Sequence, residues 1–330
     1  MPEISSINQR VQIAKETVPG TSVPANKLLL NMTASFAPNP DVKTYRGTGR
    51  RWASTAIMNR EQVDIKWSGD MDYQDIIYPI AGVWSAVTAS THPTGTLSKD
   101  WIWTPPVSGS ITPQTYTVEQ GDSNRAHKVN YGLFQGFSYK GTRKDGFTFD
   151  ADMMAQIFQD AITLTASPTA VALSPLAGSH VNIYIDTTSA GIGVTKFTRA
   201  FSFEYSYSNG FDGFWPLDRA NTSFAGHVDT VPKNTVKFTL EADAVGMGLL
   251  PHLRLGDYLY VRFDAVGPII ETTIPFAFQH DIAVKLTNIG ELKDEAGIYA
   301  TEYTGEVAED PTWSSGQSQK LTITNLLAAL

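Results

Sequence analysis

Gln62-Val63-Asp64-Ile65-Lys66-Trp67-Ser68-Gly69-Asp70 recurs in pattern, 173 residues later, as Thr235-Val236-Lys237-Phe238-Thr239-Leu240-Glu241-Ala242-Asp243. In both stretches alternate positions are apolar, the period-two signature of a strand with one buried face. The match extends outward at the same spacing. Leu28, Leu30 and Met32 correspond to Phe201, Phe203 and Tyr205, and Ile76, Ile77 and Ile80 fall on Leu249, Leu250 and Leu253. A further match, Lys144-Asp145-Gly146-Phe147 with Glu295-Ala296-Gly297-Ile298, has a spacing of 151, so the first copy carries 22 extra residues before that turn. Strand, loop and helix thus follow in the same order twice. The chain reads as mainly β, with two tandem sandwich- or barrel-like domains over 1–166 and 180–330 and a linker over 167–179.

Period-two alternation continues through Gly146 to Ile157, Asn182 to Ile185, Phe201 to Tyr207, Val236 to Leu240, Tyr258 to Phe263, Ile282 to Leu286 and Leu321 to Ile323. Turn chemistry at Asp145-Gly146, Asn209-Gly210, Asp212-Gly213, Gly256-Asp257 and Ala296-Gly297 separates these runs. Helical spacing is scarce. Ile76, Ile77, Ile80 and Trp84 predict one short helix over Tyr73 to Trp84 with Asp72 as its N-cap, and Ala244 to Leu253 is its counterpart. Two long loops, Pro38 to Asn59 and Ser208 to Pro232, resemble neither strands nor tight turns. Loops of that length in a compact domain are usually functional, and their aromatic residues argue for docking over disorder. A third irregular stretch, His92 to Asn124, accounts for the extra length of the first copy.

The chain has 330 residues, 42% apolar and 18% charged, and no cysteine, which excludes disulfides, thiolate metal sites and a cysteine nucleophile. Nothing at the amino terminus has the apolar length of a signal peptide and no run reaches a membrane span, so a chain made in the cytoplasm is expected. The net charge of -8 opposes a grip on nucleic acid, which needs clustered Lys and Arg. Residues 1–173 are balanced, with 15 basic and 15 acidic residues, whereas 174–330 hold 10 and 18. Most of the excess lies in Glu291, Asp294, Glu295, Glu302, Glu306, Glu309 and Asp310, with Lys293 as the one cation among them.

No motif for chemistry emerges. The six histidines are scattered without metal spacing and read as surface or turn residues. Asp145, Asp150 and Asp152 lack the order of a calcium loop, and Gly47-Thr48-Gly49-Arg50-Arg51 lacks the Lys-Ser/Thr and helix of a phosphate loop. No Gly-x-Ser-x-Gly elbow occurs. No enzyme, cofactor or metal is expected.

Glu16-Thr17-Val18-Pro19-Gly20-Thr21-Ser22-Val23-Pro24-Ala25, then a strand and an Arg-rich loop, resembles the opening of major tail tube proteins of long-tailed bacteriophages. The resemblance continues through Leu240-Glu241-Ala242-Asp243-Ala244-Val245-Gly246-Met247-Gly248-Leu249-Leu250 and Thr287-Asn288-Ile289-Gly290-Glu291 to Thr322-Ile323-Thr324-Asn325, and so covers nearly the whole chain. It implies β domains with a flanking helix that assemble into rings stacked as a hollow tube, with long loops packing one ring on the next. A duplicated chain would form trimeric rings of pseudo-sixfold symmetry. The partners implied are other copies of the chain and the tape-measure, tail-tip and tail-terminator proteins, in a virion tail assembled in the host cytoplasm and passing DNA without specific binding. Ring stacking is then expected at Arg46, Arg50, Arg51, Trp52, Phe211 and Trp215, since Arg and aromatics anchor interfaces. Glu291, Glu302, Glu306 and Glu309 would either line the lumen or meet a basic edge at Lys140, Arg143 and Lys144 within a ring. A carbohydrate-binding or adhesin-like β protein, with Trp52, Trp101, Trp103 and Trp215 as its platform, is the alternative.

Overall fold

The computed structural model describes residues 6–314 and 316–330, and the chain is mainly β. The first part of the chain runs β1 (Arg10–Lys15), β2 (Lys27–Leu29), β3 (Met32–Tyr45), β4 (Thr55–Asp70), α1 (Ile77–Trp84), β5 (Ser90–Thr91), β6 (Lys99–Trp103), β7 (Tyr116–Gly121), β8 (Ala126–Thr142), β9 (Gly146–Ala155) and β10 (Gln159–Ile162). After β11 (Thr169–Ala170) the second part runs β12 (Val181–Asp186), β13 (Lys196–Phe197), β14 (Ala200–Ser208), β15 (Phe211–Phe214), β16 (Gly226–Asp229), β17 (Lys233–Glu241), α2 (Leu250–Leu255), β18 (Tyr258–Glu271), β19 (Ile274–Ile289), β20 (Lys293–Glu295), β21 (Ile298–Val307) and β22 (Gln319–Asn325).

One antiparallel sheet crosses both halves in the order β3-β4-β9-β8-β14-β17-β21-β19. Its side chains sort by face through the middle of the sheet. Met32, Gly69, Phe149, Tyr139, Tyr205, Val236, Gly305 and Leu286 lie side by side in one row across the eight strands. The next row, displaced by one residue on every strand, is Thr33, Ser68, Asp150, Ser138, Ser206, Thr235, Glu306 and Lys285. Successive residues of a strand point to opposite faces, so the first row is apolar on one side and the second is polar on the other. Each strand had to keep its alternation in phase with its neighbours for this to hold.

The apolar face packs an aromatic core shared by the two halves. Tyr139 of the first half is fully buried against Phe203, Tyr205, Phe263 and Phe278 of the second, at ring separations of 5.2 to 6.0 Å. Trp84 at the end of α1 reaches across to Tyr205, Tyr207 and His280. Every residue of α1 is buried. Gly82 in this helix lies so close to Phe134 that an added Cβ would stand 2.5 Å from its ring, so the glycine sets how deeply the helix sits. The helix starts four residues later than expected, because Asp72 ties a preceding turn: its Oδ1 accepts from the N–H groups of Gln74 (2.7 Å) and Asp75 (3.3 Å). The counterpart, α2, spans Leu250–Leu255 after a 3-10 turn at Met247–Leu249, with Pro251 in its first turn, where no N–H is needed.

Several expectations require correction. Pro38 to Asn59 is no loop but the outer part of the β3–β4 hairpin; β3 bonds only to β4 among the described strands, and an edge strand tolerates Pro38 and Pro40, which have no N–H to donate outward. Ser208 to Pro232 contains the small hairpin β15–β16. His92 to Asn124 supplies β6, which pairs with β22 near the carboxyl end, and β7. The 167–179 segment is tied down by β11 pairing with β2 and by bonds from Tyr73 N–H to Ser174 O (3.0 Å) and from Leu176 N–H to Met71 O (2.7 Å). His280 is buried, not a surface residue; burial holds its imidazole neutral, with a pKa lowered to about 3, and its Nδ1 is 2.8 Å from the Tyr139 hydroxyl.

Three local features recur at a spacing of 171 residues. Asp243 Oδ1 accepts from Val245 and Gly246 N–H (3.0 and 2.8 Å), as Asp72 does from Gln74 and Asp75. The strands before them end alike, Met71 N–H on Phe147 O and Ala242 N–H on Tyr299 O, both 2.8 Å. The helices after them both stop at a residue of positive φ, Ser85 (87°) and Gly256 (69°), although their ψ angles differ (151° and 26°). The 173 spacing read from the sequence matched Asp70 with Asp243, two residues away from this geometry.

Candidate functional site

Beyond the core, the β3–β4 hairpin continues as an arm on which every residue from Ala37 to Arg60 is exposed. Arg46, Arg50, Arg51 and Trp52 sit at its tip, where Arg50 N–H closes a turn on Gly47 O (3.1 Å) and the Arg51 guanidinium lies 5.7 Å from the Trp52 ring. Val42, Tyr45, Ile57 and Met58 are exposed along its strands. A two-stranded ribbon with no third element against it is marginal in water, and apolar surface of this kind is characteristic of a contact site.

The other two residues expected at this contact lie elsewhere. Phe211 is buried, packed with Phe224 against Tyr131, Leu133 and Met154 of the first half. Trp215 is half-buried, with Phe224 edge-on at 5.9 Å and the Arg60 guanidinium over its ring at 4.8 Å. Backbone bonds from Glu61 N–H to Thr222 O and from Gly210 N–H to Gln135 O, both 2.9 Å, fasten the same connection to the first half. Phe211 is thus an internal anchor, and Trp215 braces the root of the arm.

The acidic residues spread over the polar face. Glu302 and Glu306 stand on β21, inside the sheet between β17 and the β19–β20 side, with Lys293 Nζ 3.3 Å from Glu302 Oε2. Asp64, Asp70, Asp150, Asp152 and Glu204 share this face with Lys66, Lys140, Lys237 and Lys285, so carboxylates outnumber amines there. Lys140 lies opposite Glu204 of its own chain, while Arg143 and Lys144 are exposed in the turn after β8. Glu291 is exposed beside β20, and Glu309 follows β21 with its carbonyl accepting from the Tyr258 hydroxyl at 2.7 Å.

Among the described residues, two strands of the sheet keep an unpaired side, while β19 continues into β18 and β22. Among the described strands, β3 has none on its outer side, and β20 pairs only with β21. Beside β3 runs an open groove of about 480 Å³ between Thr33 to Phe36 and the side chains of Gln120, His127 and Phe158. Leu292, just before β20, is 62% exposed, and carrying the β20–β21 register one residue back would set it opposite Thr301, on the apolar side. Sequence reading passed over Leu292 because a single apolar residue within an acidic run shows no period.

Among the described residues, no group of three His, Asp or Glu could hold a metal, and no helix is long and apolar enough to cross a membrane. Trp101 and Trp103, half of the aromatic platform required by the carbohydrate-binding alternative, are 1% exposed and stacked on each other, their indole N–H groups bonded to Leu327 O and Ser85 O at 3.0 Å. The buried Asp75 has its pKa pushed up to about 7 by loss of hydration and by the neighbouring Asp72; one of its oxygens accepts from Asn31 N–H at 3.1 Å. No family model and no curated protein matches the chain.

Proposed function

We propose that this chain is a structural subunit of a bacteriophage tail tube, with two similar domains per chain, three chains per ring, and rings stacked into a conduit for DNA. The observation that carries the reading is the eight-strand stretch of sheet, polar on one face and apolar on the other, with an unpaired strand side at β3 and another at β20 beside β21 among the described residues. Within the chain, β8 already joins β14 by a regular antiparallel ladder from Phe137–Tyr207 to Thr142–Ser202. A sheet that continues in this way from chain to chain closes on itself and leaves no edge to aggregate.

The features that recur every 171 residues support duplication, with Ile65 as the equivalent of Val236 and Trp67 of Phe238. Three duplicated chains supply the six sheet units that a single-domain ring would draw from six. With the polar face inward, the surplus of carboxylates repels phosphate over roughly a Debye length, about 8 Å at physiological salt, and lets DNA slide. The exposed arm, basic and aromatic at its tip, supplies the contact between stacked rings.

Negative-stain microscopy of the purified chain at high concentration tests the proposal. Hollow tubes with threefold or pseudo-sixfold cross-sections are expected. Discrete monomers at all concentrations, or tubes with six chains per ring, would overturn it.

A further inference from the structure

Resting on the tube reading, we infer that the outer edge of β3 pairs with β20 of a second copy of this chain in one defined register: Phe36 opposite Leu292, Ser35 opposite Lys293 and Ala34 opposite Asp294. The junction between β8 and β14 inside the chain is the template. There Tyr205 has Val236 on one side and Tyr139 on the other. The residue 171 before Val236 is Ile65, whose partner on the outer strand is Phe36, so Phe36 takes the place of Tyr205. On the opposite side, Thr142 is the last residue of β8 paired before the turn into β9, and Glu295 is the last residue of β20 paired before the turn into β21. Counting back three residues from each gives Tyr139 and Leu292. The two equivalences together fix the register.

The local surfaces fit a strand. Leu292 is left exposed where its equivalent Tyr139 is fully buried, and Phe36 is half-buried at the groove, with Phe158 edge-on at 6.4 Å across it. The Gln120 amide donates to the Ala34 carbonyl, a side chain standing where a ladder would supply a main-chain N–H. Pro38 lacks an N–H, so the ladder ends there, as the template ladder ends at Tyr207. A second copy is the occupant because the chain carries both halves of the joint and cannot bring them together itself while β8 fills the β14 edge.

The absence of cysteine makes the register directly readable. Directly opposed residues in an antiparallel pair have Cα atoms about 4.5–5.5 Å apart, within disulfide reach, whereas a two-residue slip takes them beyond it. Ser35→Cys with Lys293→Cys, both exposed, should give under mild oxidation a covalent ladder ending at a closed trimer on non-reducing gels. Either single variant, and the slipped pair Ser35→Cys with Glu291→Cys, should give at least tenfold less. Tubes that grow normally while the first pair stays uncrosslinked, or while the slipped pair crosslinks better, overturn the register and leave the tube reading standing. A crosslinked trimer that never stacks supports the joint and counts against the tube. Neither crosslinks nor rings would overturn both.

Discussion

The hairpins β3–β4 and β14–β17 hold the same place in the two halves of the sheet and end differently. The first runs straight out, exposed on every residue from Ala37 to Arg60. In the second, the chain leaves β14 at Ser208 and folds back through β15 and β16, burying Phe211 and Phe224 on the first half. The difference follows from what each connection finds nearby. Phe211 and Phe224 meet a surface made by Tyr131, Leu133 and Met154, while Val42, Tyr45, Trp52, Ile57 and Met58 have no such surface among the described residues. Equivalent position in a sheet therefore fixes direction and register, and the availability of an apolar partner decides whether a connection closes on the chain or stays exposed.

The strongest test of how far the halves are distinct lies at Tyr139, whose ring touches four aromatics of the second half. Tyr139→Ala should cost roughly 3–5 kcal/mol, as other large aromatic deletions do, and should lower the stability of both halves in a single urea transition. Two separate transitions, with only one shifted, would break the picture of a shared core.

A smaller effect separates the two turns before the helices. The 171 spacing places Gly246 where the first half has Asp75, so only the first half buries a second carboxylate there. Its pKa is raised in the fold to about 7, so folding favours the protonated form, and this group costs stability as pH rises from its unfolded value near 4 through 7. Asp75→Asn keeps an acceptor for Asn31 N–H and should raise stability at pH 8 by about 1–3 kcal/mol, with little change at pH 4. Equal denaturation midpoints for variant and wild type at pH 8 would refute this.

Smaller again is the brace at the root of the arm. Arg60→Ala and Trp215→Ala should show a coupling energy of about 0.5–1 kcal/mol in a double-mutant cycle, the usual value of a partly exposed cation–π pair. Additive effects would show that the two side chains are neighbours without being partners. Smallest in stability is the tip. Replacing residues 46–52 by Asn-Gly should leave the unfolding free energy from urea titration within about 0.5 kcal/mol of wild type, because the segment is exposed throughout. Tube growth followed by light scattering should nevertheless stop, and unimpaired growth would remove the arm from ring stacking.

Much of the sheet was legible in the sequence. Alternation in Gln62 to Asp70, Gly146 to Ile157, Phe201 to Tyr207 and Val236 to Leu240 marked strands and buried faces, with β9 ending two residues short of Ile157, because the period of two follows from backbone geometry alone. The spacing of the repeat was harder to read. A slip of two residues leaves every side chain on its original face, so 173 and 171 satisfy the alternation equally. Only the turns at Asp72 and Asp243 and the helix stops at Ser85 and Gly256 distinguish them. Prolines misled in the arm, since Pro38 and Pro40 forbid a central strand but not an edge strand, and sequence does not mark which strand lies at an edge.

The sequence by itself determined that the chain is mainly β, which residues alternate between faces, and that its acidity gathers in the second half. Tertiary structure decided which strands lie side by side: β8 beside β14, β6 beside β22, with β3 and β20 left open. It also decided which aromatics are spent on the core. Trp101, Trp103, Phe211 and Trp52 carry similar apolar surface, and composition ranks them alike. Burial depends on the surfaces that distant segments present at the same place, and those contacts are made only when the whole chain has folded.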